Sequence, residues 1–167
     1  MILNRNPWFS IAGLVLAAML AFPACSGSES VGKKLNRLGL AWEQDAEGDY
    51  RIDYPLEDGR TVVVGVGAHS LGLGSEIRVR ELWSVAARIP GDFPGDLAEN
   101  LLSDSWSTRK LGSWALAGRT SDGRSVLVYV ARVPEGASLR LFRAALEDVA
   151  VSAADMGDAL EGLEDGR

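Results

Sequence analysis

Few side chains of this 167-residue chain are of a type that could do covalent or metal chemistry, and the two most reactive types occur once each. His69 is the sole histidine and Cys25 the sole cysteine. A histidine-activated nucleophile or a histidine-rich metal site would both have to be built on His69. Its Gly- and Ser-rich surroundings, from His69 to Ser75, read instead as a solvated loop. Gly65-Val66-Gly67-Ala68-His69-Ser70 follows a β-rich run and faintly suggests a dinucleotide loop, but cradling a phosphate needs a helix opening behind the glycines. Leu71-Gly72-Leu73-Gly74 does not readily supply one. Asp45, Glu47, Asp49 and Asp53 gather oxygen atoms suited to a hard cation, yet they miss the spacing of a calcium loop and its terminal glutamate. They read as a solvated acidic turn. No Gly-x-Ser-x-Gly elbow, paired thiols or phosphate loop accompanies them. The expectation is a protein without catalytic residues, metal or cofactor.

The elements that would position any site alternate between helical and strand patterns. Val31, Leu35, Leu38 and Trp42 recur at near-helical spacing, and Gly39 is a helix stop. Arg51 to Tyr54 alternates, Asp58-Gly59 signals a tight turn, and Thr61 to Val66 is β-rich, which together predict a hairpin. A third, long strand runs from Ile77 to Ile89, with an irregularity expected near Leu82. Asp96 starts a middle helix whose Leu97, Leu101 and Leu102 share one side, with Trp106 closing that face. Lys110–Arg119 and Arg124–Val133 flank Asp122-Gly123 as a second hairpin. Ser138 caps a final helix carrying Leu139, Phe142, Leu146, Val149 and Ala153. Residues 157–167 read as an acidic flexible tail. The fold class is therefore α+β: an antiparallel sheet of about five strands from two hairpin units, in the order α-βββ-α-ββ-α.

The beginning of the chain speaks to location. Arg5, an apolar run from Phe9 to Phe22 of about 14 residues, and small residues up to Cys25 have the form of an export signal, the run being shorter than the about 20 residues needed to span a bilayer. A cysteine at that point resembles the bacterial lipoprotein signal, in which residues 1–24 would be removed and Cys25 lipidated, with residues 25–30 as a polar tether. Phe22 and Pro23 spoil the small-residue pattern of a plain secretory cut. An uncleaved N-terminal anchor and ordinary secretion remain open beside lipidation. The resemblance implies a cell-envelope protein held by lipid, facing the periplasm or exterior. Ser26 after the cysteine resembles outer-membrane sorting in diderm bacteria. About 140 residues then remain, enough for one domain. A net charge of −6 makes nucleic acid a poor partner.

The order of elements, with Leu101-Leu102-Ser103-Asp104-Ser105-Trp106 leading into Lys110 to Leu116, then Asp122-Gly123-Arg124, Val126 to Val130, Gly136, Ser138 and Leu139, resembles the YbjN-like family over residues 31–156. Family members tend to place asparagines around the aromatic residue; here Asp104, Ser105 and Ser107 surround Trp106. The resemblance implies the fold of type III secretion chaperones and a non-enzymatic, often dimeric domain that binds protein segments.

The four tryptophans after the signal, Trp42, Trp83, Trp106 and Trp114, offer large apolar anchors for a core or an interface. Most are expected in the core, with Trp83 and Trp114 the candidates for a binding face. The reading is an envelope-anchored, non-enzymatic binding lipoprotein that engages another envelope protein or a second copy of itself. A small periplasmic enzyme or ligand carrier with a pocket near the His69 loop is the alternative, and a purely structural tether is a third. A flat apolar sheet face would favour the first, and a closed pocket at His69 the second.

Overall fold

A computed structural model of the chain describes residues 29–74 and 76–164. The signal, Cys25 and the tether up to Ser28 lie outside the described residues. Helix α1 (Val31–Leu38) ends where Gly39 takes a left-handed φ of 70°, a conformation that costs glycine little. Seven strands and two further helices follow: β1 (Trp42–Gln44), β2 (Tyr50–Pro55), β3 (Thr61–Val66), β4 (Leu71–Leu73), β5 (Ile77–Ile89), α2 (Gly95–Ser107), β6 (Gly112–Arg119), β7 (Ser125–Pro134) and α3 (Leu139–Glu164). The strands form one open antiparallel sheet in the order β1-β2-β3-β5-β7-β6, with β4 also pairing to β5.

The α+β class and the two hairpins agree with the sequence pattern, while the strand count is seven and not five. The two additional strands, β1 and β4, are three residues each. Segments that short show too little alternation to be recognised and are made strands by their pairing, β1 with β2 and β4 with β5. Trp42 accordingly leaves the helix and opens β1; its ring tilts onto Tyr50 at 5.2 Å and its Nε1 donates to Asn36 Oδ1 at 2.9 Å. The irregularity in β5 falls between Val85 and Ala87, further along than Leu82.

The core lies between the sheet and α3, which packs across β5, β7, β3 and β6. Phe142, Leu146 and Val149 bury fully against Leu82, Leu127, Tyr129 and Ala131. Ser138 caps α3 as expected, its Oγ accepting from the Leu141 N–H at 3.2 Å. Lys34, buried on α1, ties that helix to the start of α3 by donating to the carbonyls of Ala137 at 2.8 Å and Glu135 at 3.2 Å. The acidic end is not a loose tail over its first residues. The helix continues to Glu164, Leu160 is 6% exposed, and Asp158 Oδ1 accepts from Arg60 at 2.6 Å.

Helix α2 corrects a second expectation. Leu101 is buried, but Leu102 is 70% and Trp106 92% exposed. Asp104 and Ser105 are the residues turned to the sheet, accepting from Trp114 Nε1 at 2.7 Å and from the Trp114 backbone N–H at 3.1 Å. Leu102 and Trp106 each follow a sheet-facing residue by one position, a rotation of about 100° that turns them outward. The Ser105 bond also covers the outer edge of β6, satisfying a backbone donor that would otherwise be an open pairing site.

Candidate functional site

Strand alternation sorts the sheet residues onto two faces. Leu127, Tyr129 and Ala131 of β7 face the helices, so Val126, Val128 and Val130 face the opposite way, as the alternation of the sequence predicts. Register carries that second face across four strands. Gly65, Trp83, Val130 and Ser113 stand in one row, and Val85, Val128 and Ala115 in the next. Val63 is 44% exposed, Ala115 is exposed, and Trp83, Val85, Val126 and Val130 are half-buried with no helix over them. Val128, between them, is 5% exposed, so the result is a partly exposed apolar patch that carries one aromatic ring. The Glu81–Arg132 ion pair, 2.6 Å, stands on the same face beside it.

Trp83 and Gly65 make this surface together. A Cβ built on Gly65 would lie 2.4 Å from Trp83 Cε2, so the indole rests directly on the glycine backbone and is held flat. Only glycine leaves room for that approach.

Trp114, the other candidate, does not reach the open face. It is 8% exposed on the helix side, stacked edge-on against Tyr129 with ring centroids 4.9 Å apart. The Arg109 guanidinium lies 5.5 Å from both rings, bonds Asp104 at 2.7 Å and reaches Ser152 of α3 at 2.8 Å. Burial pushes the Asp104 carboxyl up, but hydrogen bonds from Trp114 and Arg109 outweigh it and hold the group below the usual carboxylate range. Tyr129 is fully buried and donates to Asp148 at 2.9 Å; burial and that neighbour push its hydroxyl up to about 12. This network joins α2, β6, β7 and α3.

The residues first considered for chemistry are placed apart. His69 is exposed in the connection between β3 and β4. That connection leads into a strand, so no helix N-terminus stands behind Gly65 and Gly67 to receive a phosphate. Its backbone is clamped by Arg80, which donates to the Ala68 carbonyl at 2.7 Å, and by Asp49, which accepts from the Ala68 N–H at 2.7 Å. Asp45 turns its carboxylate onto the N–H groups of Glu47 and Asp49 at 3.0 and 2.9 Å. Among the described residues no three His, Cys, Asp or Glu side chains gather as metal ligands.

Two surfaces escaped the sequence reading: the outward pair Leu102 and Trp106 on α2, and a cleft of about 680 Å³ between α3, the end of α1 and the β2–β3 turn. The pair carries a helical spacing that suits a core face as well as an exposed one, and the cleft is made by segments far apart in the chain. No protein-family model matches the chain, and no curated protein matches it.

Proposed function

We propose that this chain is a non-enzymatic binding module of a bacterial cell envelope, anchored by lipid on Cys25 and docking another envelope protein through the open sheet face around Trp83. The carrying observation is the apolar set Val63, Trp83, Val85, Val126 and Val130 on the sheet face, each partly or wholly exposed around the buried Val128, which no helix covers. Apolar patches that persist on a folded surface mark interaction sites, and a rigid tryptophan near the centre of one has the character of a binding hot spot. The tether from Ser26 to Ser30 would keep the module within about 20 Å of the membrane. The YbjN-like reading of the domain fits the five longer strands β2, β3, β5, β6 and β7 with α1, α2 and α3 in the order of that family.

The test places a photocrosslinking residue at Val85 of the full chain in cells and identifies the adducts by mass spectrometry. Expected are a Cys25 carrying lipid and an adduct with one distinct envelope protein that is lost in Trp83→Asp. Adducts with a second copy alone would replace the foreign partner by self-association. An intact Met1 terminus with unmodified Cys25 would overturn the lipid anchor, and adducts unaffected by Trp83→Asp would remove the sheet face from the interaction.

A further inference from the structure

On the other side of the molecule lies the cleft beside α3, whose helix wall carries Arg143, Glu147, Val151 and Asp155 at four-residue intervals. Four-residue spacing places these side chains in one row, spanning about 18 Å of helix. The floor is apolar: Leu38, Leu40 and Leu56 are half-buried at the core margin, and Val151 is 42% exposed towards the opening. Tyr54 also lines the cleft, and burial with the charge of Glu147 pushes its hydroxyl above the usual range.

The charges at the rim are unbalanced. Arg60 is occupied by Asp58 and Asp158, both at 2.6 Å. Among the described residues Glu57, Glu147 and Asp155 make no ion pair, and Arg143 is the one rim cation outside an ion pair. An apolar floor under a surplus of carboxylates selects an occupant with an apolar stripe and basic flanks. Its length suits about three turns of helix. Strand pairing is disfavoured at this wall because Pro55 has no N–H to offer.

We infer that this cleft docks an amphipathic, lysine- or arginine-flanked helical segment of a partner protein, in the helix-in-groove manner. This site is independent of the sheet face, so the module would hold two partners or two parts of one.

The test uses the full chain in detergent and a fluorescent amphipathic helix of leucine, alanine and lysine, with a counterpart in which glutamate replaces each lysine. The lysine peptide is expected to bind at least about tenfold more tightly than the glutamate peptide, a difference of about 1.4 kcal/mol. Adding salt should weaken it. Reversing the rim by Glu147→Lys with Asp155→Lys should exchange the preference. The milder Glu147→Gln with Asp155→Asn, checked by near-ultraviolet circular dichroism, should abolish the preference without unfolding. Trp83→Asp should leave the affinity unchanged, which separates this site from the sheet face. Equal binding of the two peptides, no binding of the lysine peptide, or a preference that survives both double variants would overturn the inference.

Discussion

Which β7 residue each strand tryptophan pairs with decides its environment. Trp114 stands opposite Tyr129, on the helix side, and Trp83 opposite Val130, on the open side. One step of strand parity therefore separates a buried anchor from a surface one. The position of Trp83 depends further on a residue with no side chain. Gly65→Ala would set a methyl 2.4 Å from the indole, well inside contact distance, so the ring must lift or rotate. Overpacking of this kind costs about 1–3 kcal/mol. The expected result is a lower midpoint of chemical unfolding together with red-shifted tryptophan emission from a more exposed ring. A variant with unchanged stability and emission would mean that the indole does not rest on Gly65. Trp83→Phe, which removes the larger ring system, should relieve part of the cost when combined with Gly65→Ala.

At the scale of elements, α3 dominates because it is the one helix that touches β3, β5, β6 and β7. Phe142, in the first turn of α3, is 1% exposed, and its truncation to alanine is expected to cost about 3–5 kcal/mol. Ser138→Ala should cost about 1 kcal/mol through the lost cap. Ending the chain after Met156 should cost about 1.5–3 kcal/mol, because it removes the buried Leu160. The acidic composition of that segment concealed this: Asp155, Asp158 and Glu161 suggest solvent, while Leu160 is buried against the core and Asp158 is bonded to Arg60. Urea unfolding of the three variants would show the order Phe142→Ala, truncation, Ser138→Ala. A neutral truncation would mean that the last turns of α3 contribute nothing to the fold.

For the molecule as a whole, what could be read in advance was what local periodicity encodes. Both hairpins were marked by Asp-Gly turns between alternating runs, and α3 by its apolar spacing behind Ser138. The burial of Trp114, the exposure of Trp106 and the cleft were not legible, because each depends on which element packs beside which. The Tyr129 network has the same origin: Asp148 of α3, Arg109 after α2 and Trp114 of β6 converge on one ring. It also couples overall stability to pH. The Tyr129 hydroxyl is raised from 10.0 to about 12 by burial, then by the hydrogen bond and charge of Asp148. A raised value means that folding favours the neutral phenol. Its contribution is complete below pH 10 and is lost as the pH climbs through the folded value near 12. In that window the unfolded chain releases the proton first, and stability should fall by up to about 1.4 kcal/mol per pH unit from this group. Tyr129→Phe removes the proton and should flatten that fall, at a neutral-pH cost of about 1 kcal/mol for the lost hydrogen bond. Urea midpoints measured between about pH 9 and pH 11 decide it: wild type must decline more steeply than Tyr129→Phe, and parallel slopes would detach alkaline sensitivity from this buried phenol.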